Sequence, residues 1–356
     1  MKSKRLLSLD VLRGLTVAGM ILVNNGYGQS FEMLNHSVWN GMTPCDLVFP
    51  FFLFIVGIST YLSLSKFQFR PTPQVLAKIA RRTVLLFIIG LAINWLDHAV
   101  EGDILCFGHL RVWAVLQRIA LCYGLASLFA VTVNHRWTLP TIIALLAVYT
   151  VILIVGNGYA EDASNILART DLSIFGYDHL YHKSPVDPEG LLGTIPSVAH
   201  VLIGFYCGKR MVEAQTLHDK LLVYFVAGAV LVIGGYLLSY GLPLNKRIWS
   251  PSYVLMTCGL ASLLQGLLMY VIDLRGHQGW CLPFKVFGVN PLFLYVGSEV
   301  LAIVFGRFSI NDAIYNGIHA VVPHLEWASF CYALTFVAIC FCIGYVLYRR
   351  HIYIKL

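Results

Sequence analysis

The chain has 356 residues, of which 58% are hydrophobic and only 12% carry a charged side chain. Soluble domains contain about 25% charged residues. The composition therefore excludes an ordinary soluble domain and indicates an all-α, polytopic membrane protein surrounded by lipid. The net charge of +7 is typical of basic cytoplasmic loops, so we expect no nucleic-acid partner.

Ten apolar segments, each long enough to cross a bilayer, follow one another along the chain. They cover residues 9–25, 46–65, 80–97, 112–132, 138–157, 191–208, 220–240, 251–272, 284–305 and 327–348. The first resembles a signal peptide, but Asp10 and Arg13 interrupt its apolar core, so we expect it to remain as a membrane helix. We interpret residues 1–356 as a single transmembrane domain.

Lysine and arginine residues are distributed unevenly between the loops on the two sides of the membrane. With the N-terminus in the cytoplasm, 17 of them fall on the cytoplasmic side and 5 in the outer loops. The positive-inside rule therefore predicts that both termini are cytoplasmic and that the loop containing His36 faces outward.

The longest outer loop, at about residues 158–190, is rich in acidic and aromatic residues. Simple solvation explains such a composition, and so does binding of a cationic or hydroxyl-rich ligand such as an amino sugar. The sequence leaves both interpretations open. The candidate ligand-binding residues of this loop are His179, Asp187 and Glu189.

The nine cysteines are scattered, and most lie in apolar segments. No paired spacing of cysteine and histidine suggests a metal site. We therefore predict free, buried thiols and no metal. The alternative for two of them is a disulfide between Cys45 and Cys106, which could both lie on the outer side.

Ionisable and amide side chains inside apolar segments are costly and mark structural pairs or functional sites. Asp10 and Arg13 are three residues apart and can pair on one helix face, or Arg13 can meet an anion such as phosphate. Gln117 and Arg118, in the run VLQRIA, are expected to line a cavity. The Asn-Pro step at Asn290 is predicted to break a helix and to leave backbone carbonyls that need partners.

A polar loop with one histidine lies between the first two apolar segments. His36 is a candidate general base, since histidine titrates near neutral pH, although a loop histidine is more often merely solvated. Trp39 and Asn40 flank it as candidate substrate contacts. Asn24 and Asn25, at the end of the first segment, either cap the helix or hold a developing oxyanion.

Asp46 stands at the start of the second apolar segment. A carboxylate at a helix N-terminus is stabilised by the helix dipole. This helix-start role is favoured over the second interpretation, in which Asp46 contributes to substrate binding.

Six motifs occur in order along the chain, from Leu9 to about Tyr295. They are SLDVLRGLTVAGMILVNN, HSVWNGMTPCDLVFPFFLFIVG, VLQR, DPEGLLGT, LNKRIWSPSYV and FGVNPLFLY. Together they resemble the heparan-α-glucosaminide N-acetyltransferase family, and the resemblance covers most of the chain. We expect the chain to lack the long N-terminal lumenal domain of the animal enzymes and to be a multi-pass protein of the bacterial inner membrane.

The resemblance implies an enzyme that transfers the acetyl group of cytoplasmic acetyl-CoA to an amine of a glucosamine-type sugar on the outer side. The family's active histidine corresponds to His36 and its partner asparagine to Asn24, with Asn25 as the adjacent alternative. His36 would either deprotonate the amine for direct attack or carry the acetyl group transiently. The animal relatives suggest a homodimer.

Coenzyme A is a polyanion, so we expect its nucleotide end near basic residues of the cytoplasmic side. The expected contacts there are Arg13, Lys78, Arg81 and Arg82, and the expected lining of the thioester's channel is Gln117, Arg118 and Asn290. The alternative function is transport of an N-acetylglucosamine-type sugar across the inner membrane. Ten helices, one of them broken, suit a transporter as well.

Overall fold

The computed structural model describes residues 6–354. Within this range every regular element is helical and no β-strand occurs, so the all-α prediction is confirmed. Four basic residues used to predict the orientation, Lys2, Lys4, Arg5 and Lys355, lie outside the described residues.

Thirteen α-helices follow one another in the described part of the chain. They are α1 (Leu7–Asn24), α2 (Val48–Leu64), α3 (Pro73–Val100), α4 (Val115–Thr132), α5 (Thr138–Val155), α6 (Ile166–Phe175), α7 (Thr194–Glu213), α8 (Leu217–Ser239), α9 (Pro251–Leu268), α10 (Leu282–Val289), α11 (Pro291–Arg307), α12 (Ile310–Val321) and α13 (Leu325–Arg349). Each predicted apolar segment overlaps one long helix, except the ninth, which is divided between α10 and α11.

Seven helical segments within residues 6–354 are long and apolar enough to cross a membrane, and eight if the bent pair of α10 and α11 is one span. The chain is therefore a multi-pass membrane protein. Helices α3 and α7, which match two predicted spans, are not among these segments. The count of ten spans and the cytoplasmic position of both termini stay predictions.

Several helices begin where the sequence supplies a cap. The Thr72 side chain accepts a hydrogen bond from the backbone N–H of Val75, and Pro73 occupies the first turn of α3. Ser250 caps α9 in the same way, ahead of Pro251. Proline suits this position because the first turn of a helix leaves its N–H groups without intrahelical partners.

Glycines let the central helices approach closely. A Cβ atom at Gly57 of α2 would lie 2.0 Å from the backbone oxygen of Val201, and one at Gly204 of α7 would lie 2.1 Å from that of Phe54. The two helices therefore pack backbone to backbone, as membrane helices with small residues do. The main hydrophobic core unites side chains of α1, α2, α4, α7 and α9.

The helix break predicted at Asn290 is confirmed, since α10 and α11 meet with a bend of 87°. The Asn290 amide donates to the backbone oxygen of Ile352 at 2.8 Å and accepts from the backbone N–H of Ile354 at 2.9 Å. At the same break, the backbone oxygen of Gly288 accepts a hydrogen bond from Arg13 at 3.4 Å. The Gly288 carbonyl near the break thus finds a partner, and the Asn290 side chain fastens the segment after α13 to the break.

All nine cysteines lie within the described residues and are free. Seven are buried, Cys331 is half-buried and Cys342 is exposed. The prediction of free thiols is confirmed, and the alternative disulfide between Cys45 and Cys106 is not formed.

Candidate active site

The loop between α1 and α2 folds around the carboxylate of Asp46. Its Oδ2 accepts hydrogen bonds from the backbone N–H groups of Ser37 at 3.1 Å and Thr43 at 3.0 Å, and from the Thr43 hydroxyl at 3.1 Å. Thr43 and Asp46 form a capping box that starts the 3-10 turn Pro44–Leu47 ahead of α2. The helix-start role predicted for Asp46 is therefore confirmed.

The other oxygen of the Asp46 carboxylate holds His36. Nδ1 of His36 lies 2.8 Å from Oδ1 of Asp46. The Asp46 side chain is fully buried, whereas 49% of the His36 side chain is exposed. A buried carboxylate that orients an accessible imidazole is the arrangement expected of a general base. Asp46 lies beneath the histidine, so the geometry favours an orienting role over direct contact with a substrate.

A lysine from a distant loop completes this group of side chains. Nζ of Lys246, which lies between α8 and α9, is 2.9 Å from Nδ1 and 3.0 Å from Nε2 of His36. The same atom is 3.6 Å from Oδ1 of Asp46, and the lysine side chain is only 12% exposed. We call His36, Asp46 and Lys246 the His36 cluster.

Neighbouring residues join the Lys246 segment to the loop between α1 and α2. Asn245 Nδ2 donates to Oδ1 of the exposed Asn40 at 3.2 Å. The hydroxyl of Tyr253 donates to the backbone oxygen of Asp46 at 2.6 Å. The sequence interpretation missed Lys246 and counted it only as a charge of an outer loop. The available signal was its place in the motif LNKRIWSPSYV.

The two asparagines predicted as catalytic lie at the end of α1. Asn24 Nδ2 donates to Oε1 of Glu299 at 3.2 Å. Asn25 Nδ2 donates to the backbone oxygen of Ile21 at 2.8 Å, which is a local contact within the helix end. The Asn24 hydrogen bond fastens α1 to α11, the Asn25 hydrogen bond stays within the end of α1, and neither pairs an amide with the histidine. A catalytic role for either asparagine stays a prediction.

Trp39 is buried, and its indole N–H donates to the backbone oxygen of Tyr159 at 2.9 Å. Trp39 packs with Tyr149, Leu153 and Ile248 in a separate apolar cluster. The contact fastens the loop between α1 and α2 to the start of the long acidic loop. Trp39 thus has a visible packing role, and substrate contact stays a prediction.

The acidic residues predicted in the long loop form an ion cluster with Arg111. The guanidinium lies 2.8 Å from Oδ1 of Asp187 and 3.0 Å from Oε2 of Glu189. Burial raises the pKa of Asp187, and Arg111 opposes that shift. Nδ1 of His179 lies 2.8 Å from the backbone oxygen of Leu110. The loop is thereby fastened to the segment ahead of α4.

Asp171, in α6, is a buried acid that the sequence interpretation counted only among the loop charges. Its Oδ1 accepts from the backbone N–H of Leu191 at 2.9 Å. Its Oδ2 is buried and has no hydrogen-bond partner among residues 6–354. Burial raises the pKa of Asp171 to about 6.

A small pocket brings together two of the predicted cofactor contacts. Arg13 donates to the Ser59 hydroxyl at 3.1 Å and forms the predicted ion pair with Asp10 at 3.2 Å. The Arg82 guanidinium stacks over the Tyr123 ring at 4.5 Å, and its Nε is buried without a partner in the described part of the chain. We call this the arginine pocket, and its lining residues are Arg13, Phe52, Ile55, Val56, Ser59, Thr60, Arg82, Leu86, Ile119, Tyr123, Pro291 and Leu292.

Lys78 and Arg81, the other predicted basic contacts, are exposed on the first half of α3. The Lys78 ammonium lies 4.9 Å from the centre of the Phe67 ring. Both cations lie within a turn or so of Arg82 along the helix. They form an accessible basic face next to the arginine pocket.

Gln117 and Arg118 are buried at the start of α4, as their expected cavity-lining position requires. Arg118 Nη2 donates to the backbone oxygen of Gly190 at 2.7 Å. Its Nε and Nη1 and both polar atoms of the Gln117 amide have no hydrogen-bond partner among residues 6–354. Buried polar groups are normally paired, and the Arg118 guanidinium also lies 5.4 Å from the centre of the Trp249 ring. A cavity lined by Gln117 and Arg118 stays a prediction. Both polar side-chain atoms of Asn290, by contrast, form hydrogen bonds with the backbone after α13.

The fold and the His36 cluster define a multi-pass helical membrane protein with a histidine, a buried carboxylate and a lysine assembled between two loops. A family model described as the catalytic region of heparan-α-glucosaminide N-acetyltransferase matches residues 5–242. The chain therefore belongs to the heparan-α-glucosaminide N-acetyltransferase family.

Two similar proteins are the heparan-α-glucosaminide N-acetyltransferases of Homo sapiens, at 29% identity, and of Mus musculus, at 28% identity. Each comparison covers 99% of this chain. It covers 60% of the human protein and 61% of the mouse protein, so this chain spans about three-fifths of the length of these relatives.

Proposed function

We propose that the chain is a transmembrane acetyltransferase. It would move the acetyl group of cytoplasmic acetyl-CoA to an amine of a glucosamine-type sugar on the outer side of a bacterial inner membrane, with residues 1–356 as one domain. The observation that carries the proposal is the His36 cluster, in which a buried carboxylate orients a half-exposed imidazole. Family membership and the names of the two relatives support the acetyl chemistry and the amino-sugar acceptor.

The donor would bind through the arginine pocket. The unpartnered Nε of Arg82 offers a hydrogen-bond donor for a phosphate or carbonyl oxygen. The pocket is small, so the nucleotide end would stay at the surface beside Lys78 and Arg81. Gln117 and Arg118 would contact the arm that carries the thioester.

The distance between the two regions suits an extended donor. Ser59, in the arginine pocket, follows Asp46 by 13 residues. A helix of that length rises about 20 Å. A donor anchored by its nucleotide would therefore extend its acyl end along α2 toward the His36 cluster.

In the chemical step, the acceptor nitrogen attacks the thioester carbonyl, the new C–N bond forms and the C–S bond breaks. Nε2 of His36 accepts the proton of the amine and passes it to the sulfur, so that the coenzyme leaves as a thiol and the imidazole is neutral again. The acceptor amine would displace Lys246 from Nε2, while Lys246 stays paired with Asp46. Its ammonium then stabilises the negative oxygen of the tetrahedral intermediate.

The same geometry serves a second route in two steps. Nε2 of His36 attacks the thioester and forms an acetyl-imidazole as the C–S bond breaks and the coenzyme leaves as a thiol. The acceptor amine then attacks this acetyl group, the bond between the acetyl carbon and Nε2 breaks, and the neutral imidazole is restored. The two routes differ in one measurable way. With labelled acetyl-CoA and no acceptor, only the second leaves label on the protein at His36.

The acceptor would bind on the exposed side of the His36 cluster. Asn40 is exposed beside it and is joined to the Lys246 segment. Asp187 and Glu189 are both paired with Arg111, so they are not expected to contact the acceptor directly. Two carboxylates share one guanidinium, and the remaining negative charge would attract a cationic sugar from a distance. This assignment rests on the predicted outward orientation of the loop.

The test uses the purified chain in sealed vesicles with labelled acetyl-CoA and glucosamine or chitosan oligomers on opposite sides. We expect N-acetylated sugar from the wild type and from His218→Ala, which removes an exposed histidine elsewhere, and about 10³-fold slower formation from His36→Ala. Transfer by His36→Ala at the wild-type rate would overturn the assignment. Accumulation of unmodified sugar without acetyl-CoA would instead favour the transporter.

A further inference from the structure

Three side chains with metal-ligating atoms meet at the end of α3, outside the His36 cluster and the arginine pocket. His98, Asp103 and His109 each offer one ligand atom, and the three atoms lie within 4.8 Å of one another. Nε2 of His109 is 2.7 Å from Oδ2 of Asp103. The rings of His98 and His109 meet edge to face with their centres 5.2 Å apart.

We propose that His98, Asp103 and His109 bind one divalent transition-metal ion of the zinc class. Two imidazoles and a carboxylate are ligands that Zn²⁺ takes in proteins, with further positions left for water. About half of the His109 and Asp103 side chains is exposed, so an ion can enter from solvent. A surface ion pair accounts for His109 and Asp103 but not for the third ligand.

The backbone holds these ligands in position. Gly102 has a φ of +101°, a conformation that favours glycine, and the resulting turn brings Asp103 back to α3. The backbone N–H of Asp103 donates to the backbone oxygen of His98 at 3.2 Å. The Trp95 indole donates to the backbone oxygen of Ile104 at 3.0 Å. The ligands are thus close together before an ion arrives.

The sequence predicted no metal because no paired cysteine and histidine spacing is present. The spacing of His98, Asp103 and His109 matches no known metal-binding motif. The turn at Gly102 is what brings the three side chains together. The inference therefore departs from the expectation drawn from sequence, and it does not depend on the acetyl-transfer chemistry.

A bound ion would tie α3 to the segment that leads to Arg111. Asn94 of α3 already donates to the backbone oxygen of Arg111 at 2.8 Å. The Arg111 guanidinium in turn pairs with Asp187 and Glu189. The metal would strengthen the link between α3 and the acidic loop and would raise the thermal stability of the chain.

The test uses the full chain in detergent, purified without a histidine tag and stripped with a chelator. Zn²⁺ is titrated by calorimetry, and Co²⁺ is added as an absorbing probe of the ligand field. We expect one ion per chain and a higher Tm with Zn²⁺. Loss of a residue that only hydrogen-bonds to a ligand weakens metal binding about 10–100-fold. His98 and His109 are proposed as direct ligands, so we expect His98→Ala and His109→Ala to weaken Zn²⁺ binding by at least that much.

Two further variants separate ligation from folding. Asp103→Asn keeps a hydrogen-bond acceptor for His109 but removes the anionic ligand, so affinity should fall at least about tenfold while the Tm in chelator stays at the wild-type value. His218→Ala should bind Zn²⁺ as the wild type does. Absence of binding by the wild type, or equal binding by wild type and His109→Ala, would overturn the proposal.

Discussion

The His36 cluster and the region around the arginine pocket differ in how well their polar groups are paired. In the cluster, Asp46 receives three hydrogen bonds from the loop and a fourth contact from His36. In the arginine pocket, the buried Nε of Arg82 has no hydrogen-bond partner among residues 6–354.

The difference separates two kinds of site. A fully paired cluster is rigid, and rigid placement of reacting groups lowers the entropic cost of reaching the transition state. A region with unpaired buried groups is completed only when something else supplies the partners. We therefore expect substitutions in the first region to lower kcat and those in the second to raise KM for the donor.

The largest effect is expected from His36→Ala. Loss of a general base costs about 10²–10⁴ in rate, so the initial rate of sugar acetylation should fall about 10³-fold. The measurement is transfer of labelled acetyl groups in detergent at saturating acetyl-CoA. His218→Ala serves as control, and a rate near that of the wild type would remove His36 from the chemistry.

Lys246→Met should lower kcat about 10²-fold, because loss of one group that stabilises an oxyanion costs that much or more. KM for acetyl-CoA should not change, since the lysine is remote from the arginine pocket that would anchor the donor and acts only on the charge formed in the transition state. Lys246→Arg should recover part of the rate because it keeps the charge.

The matched control is Arg247→Met, which removes a cation from the next position of the same loop. Equal losses in Lys246→Met and Arg247→Met would show that only the net charge of the loop matters. Steady-state kinetics with both substrates varied distinguishes the outcomes.

Arg82→Gln should raise KM for acetyl-CoA about tenfold, the effect of losing one hydrogen bond to a charged group, with kcat unchanged. Arg136→Gln, a basic residue outside the arginine pocket, is the control. The wild-type KM should also rise with salt, because exposed charges are screened. A change confined to kcat would contradict the proposed division of roles.

The smallest effect concerns stability and Asp171. Burial raises its pKa to about 6, above the unfolded value of about 3.9, so the folded state binds the proton more tightly. The contribution of Asp171 to the free energy of unfolding is therefore greatest below pH 4. This contribution is lost as the pH rises through 6, and it falls by about 1 kcal/mol between pH 5 and 7. In Asp171→Asn this part of the pH dependence of Tm should disappear, and an unchanged pH profile would contradict it.

Much of the fold was predictable because its signals are local. Apolar length marked the long helices, the Asn-Pro step marked the 87° bend, and the spacing of Asp10 and Arg13 marked their ion pair. The short helices α6 and α12 were missed, since neither is long or apolar enough to stand out as a membrane span.

The candidate site was only partly predictable because it joins distant parts of the chain. His36 and Asp46 share one loop, and their residue types suggested a base and a helix start. Lys246 lies 210 positions from His36, and no pattern in a single sequence states that contact. Asn24 shows the converse, since the family resemblance implied a partner for His36 while the side-chain hydrogen bond of Asn24 goes to Glu299.

The hydrogen bonds between the Asn290 side chain and the backbone of Ile352 and Ile354 have a practical consequence for handling the protein. These contacts hold the last described residues against the bend between α10 and α11, close to the backbone oxygen that Arg13 reaches. Truncation after His351 would release the Asn290 amide inside an apolar bundle and loosen one wall of the arginine pocket. Affinity tags and fluorescent proteins fused directly after Ile354 would disturb the contacts of Asn290 with Ile352 and Ile354. Labels are therefore better placed in an exposed loop such as the one ahead of α8.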